Sequence, residues 1–100
     1  MNVYLVVFDW TTEEGSDVDI EAFDSYEKAA KRFNERIKEE KSDMSWAHDA
    51  FDEDDNLLDG YDFDECPPDT RLETYAYWTI TNNSNWQMRD YIVLVRLEVK

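Results

Sequence analysis

Apolar and polar positions follow two periods along this chain, and the periods predict strands and one helix. Residues 3–10 are apolar on both faces of an extended chain and rich in β-branched and aromatic side chains, which is typical of a central strand. Residues 18–22 alternate instead. This alternation predicts a half-buried strand with Val18, Ile20 and Ala22 toward the core and the intervening acids toward solvent. The turn residues between the two segments indicate a hairpin.

A helix is predicted near residues 25–41. One apolar stripe at helical spacing runs through this segment, formed by Tyr26, Ala29, Ala30, Phe33 and Ile37. Asp24, followed three residues later by Glu27, has the form of a helix start. The same segment carries six of the ten basic residues, so it is the one nearly neutral part of the chain.

Two further strands are predicted near residues 73–81 and 90–99, and residues 61–64 alternate like a short edge strand. The first and last strands are the most apolar, so we expect them side by side in the middle of an antiparallel sheet. The predicted fold class is α+β: a four-stranded antiparallel sheet, or a five-stranded one, with one main helix on one face, in the order ββ-α-(acidic insert)-ββ. One hundred residues make one domain, 1–100.

Charge changes the picture most. The acidic insert, residues 42–70, has no lysine or arginine and carries eleven of the 25 acidic residues, from Asp43 to Asp69, in a chain of formal charge -15. Such a field repels nucleic acid and acidic membranes and attracts basic protein surfaces. Apolar side chains recur through the insert and predict that it is held against the domain: Trp46, Phe51, Leu57, Leu58, Tyr61 and Phe63.

The sequence gives little support for a catalytic site or a metal-binding site. The acid run matches an EF-hand loop in neither register, because starting at Asp52 puts Leu57 at the glycine position and starting at Asp55 puts Cys66 at the final glutamate position. His48 and Cys66 are single, and a zinc site needs at least three such ligands. No nucleophile–histidine pair stands out among the many acids. We expect no enzyme, no cofactor and no metal site, with weak divalent-cation binding left open.

The cellular compartment is predicted from features that the sequence lacks. The single cysteine permits no internal disulfide, the first residues lack the features of a signal peptide, and no run approaches the length of a transmembrane helix. These features favour a cytoplasmic protein. The oligomeric state stays open, a dimer included.

The acidic residues of the insert and of the second predicted strand could imitate the phosphates of a nucleic acid. Alternate residues of a strand lie roughly 6.6–6.8 Å apart on one face, which resembles the spacing of phosphates along an extended nucleic-acid strand. The predicted partner-binding acids are Asp17, Asp19, Glu21, Asp49, Asp52, Glu53, Asp54, Asp55, Asp59, Asp62, Asp64 and Glu65, and the aromatic residues Trp46, Tyr61 and Phe63 would add short-range contact. The alternative is a solvated acidic surface that serves only solubility.

A resemblance adds to these alternatives. The opening strand of residues 3–10, the helix entry of residues 23–29, the acid-rich middle and the closing strand of residues 91–95 resemble the small acidic proteins of bacterial phages and mobile elements. Several of these are anti-CRISPR inhibitors or DNA mimics, so the resemblance implies an inhibitor that blocks the nucleic-acid groove of a host CRISPR effector or another phage-defence complex. Immunity proteins that neutralise basic nuclease toxins share the size and acidity and remain an alternative. Direct nucleic-acid or membrane binding is not expected.

Overall fold

The computed structural model describes residues 2–12, 14–42, 45–83 and 88–99. The chain forms, in order, β1 (Asn2–Thr12), β2 (Gly15–Phe23), α1 (Tyr26–Lys41), a 3-10 helix (Trp46–Ala50), β3 (Tyr61–Cys66), β4 (Ala76–Asn82) and β5 (Arg89–Glu98). The strands make one antiparallel sheet in the order β2-β1-β5-β4-β3. The predicted α+β class is confirmed with five strands, and β1 and β5 lie side by side as predicted.

Helix α1 covers one face of the sheet, and the core lies between them. Alternate residues of β1, β5 and β4 point toward the helix and are buried there, among them Val6, Leu94 and Trp78. The helix adds its apolar stripe, which includes Ala29 and Phe33. We call this face of the sheet the helix-side face and the other the open face.

The predicted orientation of β2 is wrong. Glu21 pairs with the buried Val6, and because directly opposed residues share a side of the sheet, the acids of β2 lie on the helix-side face. Val18 and Ile20 therefore lie on the open face, where they are 50% and 57% exposed. The physical reason is that β2 is an edge strand whose inward positions meet arginines of α1, so charge pairing replaced apolar burial there.

Two element boundaries also differ from the sequence prediction. The helix is capped by Ser25, whose side chain accepts a hydrogen bond from the Lys28 backbone N–H, while the Asp24 carboxylate pairs with the Lys28 ammonium. Strand β4 begins at Ala76, later than predicted. The chain before it forms a turn in which the Asp69 carboxylate accepts from backbone N–H groups and Glu73 has a φ of 53°.

Candidate functional site

The acidic insert is folded onto the domain by its aromatic residues. Phe63 packs edge-on against both Phe51 and Trp78, at ring centroid distances of 5.7 and 5.6 Å. Trp46 stacks on Tyr61 at 6.5 Å. These contacts give the predicted anchors a structural role, and they leave the three aromatic residues predicted to touch a partner, Trp46, Tyr61 and Phe63, half-buried within the chain.

Leucine side chains do not act as anchors, contrary to the prediction. Leu57 and Leu58 are 41% and 42% exposed. The segment is closed instead by backbone contacts, since Phe51 and Leu57 form an isolated antiparallel bridge and the Leu58 N–H donates to the Ala50 carbonyl at 2.8 Å. The buried apolar residues of the 3-10 helix are two alanines, Ala47 and Ala50.

Asp52 shapes the loop that carries most of the insert acids. Its carboxylate accepts hydrogen bonds from the backbone N–H groups of Asp54 and Asn56, each at 2.9 Å. The backbone bond from Asn56 is the main reason that the pKa of Asp52 is lowered. Asp55, which has a φ of 65°, pairs with the Lys41 ammonium at 2.9 Å. Asp52 and Asp55 are thus partly engaged inside the loop.

The remaining predicted acids of the insert are solvent-exposed. None of them forms an ion pair within residues 2–12, 14–42, 45–83 and 88–99; we call this set the acidic surface, and it comprises Asp49, Glu53, Asp54, Asp59, Asp62, Asp64 and Glu65. Asp62 and Asp64 lie on the open face at the β3 edge, and the Tyr77 hydroxyl donates to Asp64 at 3.0 Å. Asp43, which belongs to the acid run, lies outside the described residues.

The predicted acidic ladder on β2 is not a free binding surface. Arg32 Nε lies 2.7 Å from a Glu21 carboxylate oxygen, and this hydrogen bond raises the pKa of Arg32 above its already high ordinary value. Arg36 pairs with Asp19 and lies 3.8 Å from Glu21. Of the three ladder acids, only Asp17 has no cationic partner among the described residues. The structure therefore separates the ladder from the acidic surface.

A buried carboxyl pair is the feature that sequence analysis missed. Glu40, near the end of α1, is 6% exposed, and Asp90 on β5 is 2% exposed. Glu40 accepts a hydrogen bond from the Ser45 hydroxyl at 2.9 Å, and Asp90 accepts one from Trp46 Nε1 at 3.2 Å. The two carboxyl groups also form a hydrogen bond with each other. The pair ties the end of the helix to the sheet beneath the first turn of the insert.

Burial dictates the protonation of this pair. It raises the pKa of Glu40 to about 9, with Asp90 as a further cause, and it also raises the pKa of Asp90. At neutral pH the pair therefore keeps a proton that a free glutamic acid would have lost, and Glu40 donates it to Asp90. A signal existed in the sequence: Glu40 comes three residues after Ile37 in the apolar stripe, and Asp90 has the inward parity of Ile92 in its strand.

The pair lies beside a cavity of about 390 Å³ whose walls include Phe8, Trp10 and Arg36. The Arg36 guanidinium stands 5.1 Å from the centre of the Phe8 ring. Across the described part of the chain, no group of three or more histidine, cysteine or acidic residues is placed to hold a metal ion. The described helices include none long and apolar enough to cross a membrane.

Comparison with protein-family models, with curated proteins and with solved structures finds no match for this chain.

Proposed function

We propose that this protein is a non-catalytic inhibitor that binds the basic nucleic-acid-binding surface of another protein through its acidic surface. The observation that carries this proposal is the contrast between the acids of β2 and those of the insert. Asp19 and Glu21 of β2 meet arginines, whereas the acidic surface lies exposed and, among the described residues, without an ion pair, on a segment held in place by aromatic packing. Fixed like charges lose little conformational entropy when they meet a basic groove.

The chemistry of the partner follows from this surface. A set of exposed carboxylates without ion pairs favours a groove lined by lysine and arginine, which is the feature that proteins use to hold phosphates. On β3, Asp62 and Asp64 point to the same side at the roughly 6.8 Å repeat of a strand. In its most specific form, the proposal is an anti-CRISPR-type blocker of a phage-defence nuclease complex in a bacterial cytoplasm, acting by nucleic-acid mimicry, and this form rests on the resemblance.

Reversing the charge of insert acids tests the proposal, provided that the chosen side chains do not stabilise the loop. Reversing Asp52 or Asp55 would disturb the loop itself, so the test variant is Glu53→Lys, Asp54→Lys and Asp59→Lys together. The matched control, Glu14→Lys, Glu27→Lys and Glu98→Lys, makes the same change in net charge at exposed positions outside the insert.

Each protein is used to capture partners from nuclease-treated bacterial lysate at low salt. We expect the wild type and the control to retain a basic protein that the test variant loses, and retention should weaken steeply with added salt. Equal capture by all three proteins, or capture insensitive to salt, would leave the acidity without a binding role.

A further inference from the structure

The open face of the sheet carries an apolar area that α1, which packs on the other face, leaves uncovered. It is formed by alternate residues of three neighbouring strands, within residues 18–22 of β2, 3–7 of β1 and 93–97 of β5. Exposure is highest toward the margins of the area, where Ile20 is 57% and Leu97 52% exposed, whereas Val93 on β5 is 9% exposed. Contiguous apolar surfaces of this kind mark interaction sites in soluble proteins.

Charge is nearly absent from this area. The acids of β2 lie on the helix-side face, and the exposed acids of residues 52–59 belong to the loop before β3. At one end of the area, β1 and β5 place Asp9 and Arg89 on the open face, and the Arg89 guanidinium lies over the Tyr91 ring at 5.1 Å. These two charges have opposite signs, so a second copy of the chain would supply a counter-charge to each.

We propose that two copies of this chain form a two-fold dimer in which their open faces pack together as a β-sandwich. Two sheets with apolar inner faces pack in an aligned manner about 10 Å apart, and a two-fold contact needs only one self-complementary surface. A strongly basic groove does not match an apolar area that carries only one acid, because most of its lysines and arginines would lose water without gaining partners.

Four strands of the open face carry uncharged side chains apart from Asp9 and Arg89, because β4 adds Tyr77 and Thr79 there whereas β3 adds Asp62 and Asp64. At a strand spacing of about 4.8 Å and a rise of about 3.4 Å per residue, four strands about eight residues long cover roughly 520 Å². Side-chain relief raises this toward the roughly 800 Å² that each partner buries in a specific interface, which suits a dimer in equilibrium with its monomer. The loop acids of the acidic surface would stay accessible, with Asp62 and Asp64 at the rim.

Salt separates this dimer from any complex with a basic partner. Each copy carries a formal charge of -15, so the copies repel each other until salt screens them, while apolar packing is not weakened by screening. The dimer should therefore tighten with salt, whereas binding to a basic groove should weaken.

Sedimentation equilibrium of the full chain at about 0.05 M and about 0.5 M NaCl tests the proposal. We expect a concentration-dependent monomer–dimer equilibrium with the lower dissociation constant at high salt. The double variant Ile20→Glu with Leu97→Glu should weaken dimerisation about tenfold or more. Both positions are exposed, so the variant should fold, which circular dichroism verifies.

The matched control is Leu57→Glu with Leu72→Glu, which adds the same charges at exposed leucines outside the five strands. It should dimerise like the wild type. A monomer at every concentration and both salts would overturn the proposal, as would a dimer that the open-face variant leaves intact. The insert variant Glu53→Lys, Asp54→Lys and Asp59→Lys should still dimerise, so failure here and failure of the proposed function are distinguishable.

Discussion

The Nε atom of Arg32 on α1 lies 2.7 Å from a carboxylate oxygen of Glu21 on β2. The contact ties the edge strand to the helix. Glu21, which was predicted to bind a partner protein, therefore forms an ion pair within its own chain. Both side chains remain partly exposed, at 24% and 36%, so the pair is a modest stabiliser.

Replacing that acid should cost stability without affecting partner binding. Glu21→Gln should lower the free energy of unfolding by about 0.5–1 kcal/mol, because Arg32 loses its closest carboxylate. Asp17→Asn, on the same face of the same strand but without a cationic partner among the described residues, should change it by less than about 0.5 kcal/mol. Urea denaturation compares the two variants, and equal effects would show that the arginine contact contributes nothing.

The pair formed by Glu40 and Asp90 predicts a pH dependence of stability. As pH rises above 4.5, the ordinary pKa of glutamic acid, the unfolded chain releases a proton that folded Glu40 keeps until about pH 9. The folded protein then binds more protons than the unfolded chain, so Glu40 makes the free energy of unfolding fall with pH across this range. Glu40→Gln, which is neutral at every pH, removes this contribution.

From about pH 5 to about pH 8, the stability of Glu40→Gln relative to wild type should therefore improve by up to about 4 kcal/mol. Glu39→Gln is the matched control, since Glu39 is 54% exposed and lies next in the chain. Denaturation curves across this pH range provide the measurement. Parallel pH profiles for wild type and Glu40→Gln would mean that the pair holds no extra proton.

The Asp52 carboxylate should be needed for loop order. Asp52→Ala leaves the backbone N–H groups of Asp54 and Asn56 without their acceptor, so we expect a loss of about 1 kcal/mol and faster amide exchange at those two positions. Glu53→Ala removes an equal charge with no such contact and should leave exchange unchanged. Hydrogen exchange resolved by residue distinguishes a capping role from a simple effect of charge.

Phe63 should be the main anchor of the insert, because its ring contacts both Phe51 and Trp78. Phe63→Ala should lower the free energy of unfolding by about 3 kcal/mol and reduce amide protection through the insert. Leu58→Ala, at a 42% exposed position, should cost less than about 0.5 kcal/mol. If the two substitutions prove equally mild, the insert is held by its backbone contacts alone.

Periodicity predicted the elements and their order better than it predicted which side of β2 is buried. The apolar runs of β1 and β5 identified the centre of the sheet, and the stripe from Tyr26 to Ile37 identified the helix. Apolar and polar residues do alternate along β2, as predicted. Which of the two sets faces the core depends on the register with β1, and the sequence of β2 alone does not determine that register.

The candidate site was predictable only in part for a similar reason. The exposed acids of the insert follow from composition, whereas the arginines that neutralise Asp19 and Glu21 come from a helix that packs across them. Glu40 and Asp90 are distant in sequence, so they are buried together only because α1 packs against β5.

Competition for the partner's nucleic acid tests the central claim most directly. A partner captured by this protein is loaded with labelled DNA or RNA, and the bound fraction is followed by fluorescence anisotropy as wild type or the Glu53→Lys, Asp54→Lys, Asp59→Lys variant is added. We expect the wild type to displace nucleic acid in proportion to its occupancy, and the variant to displace far less. A partner that binds the wild type tightly and keeps its nucleic acid unchanged would contradict nucleic-acid mimicry.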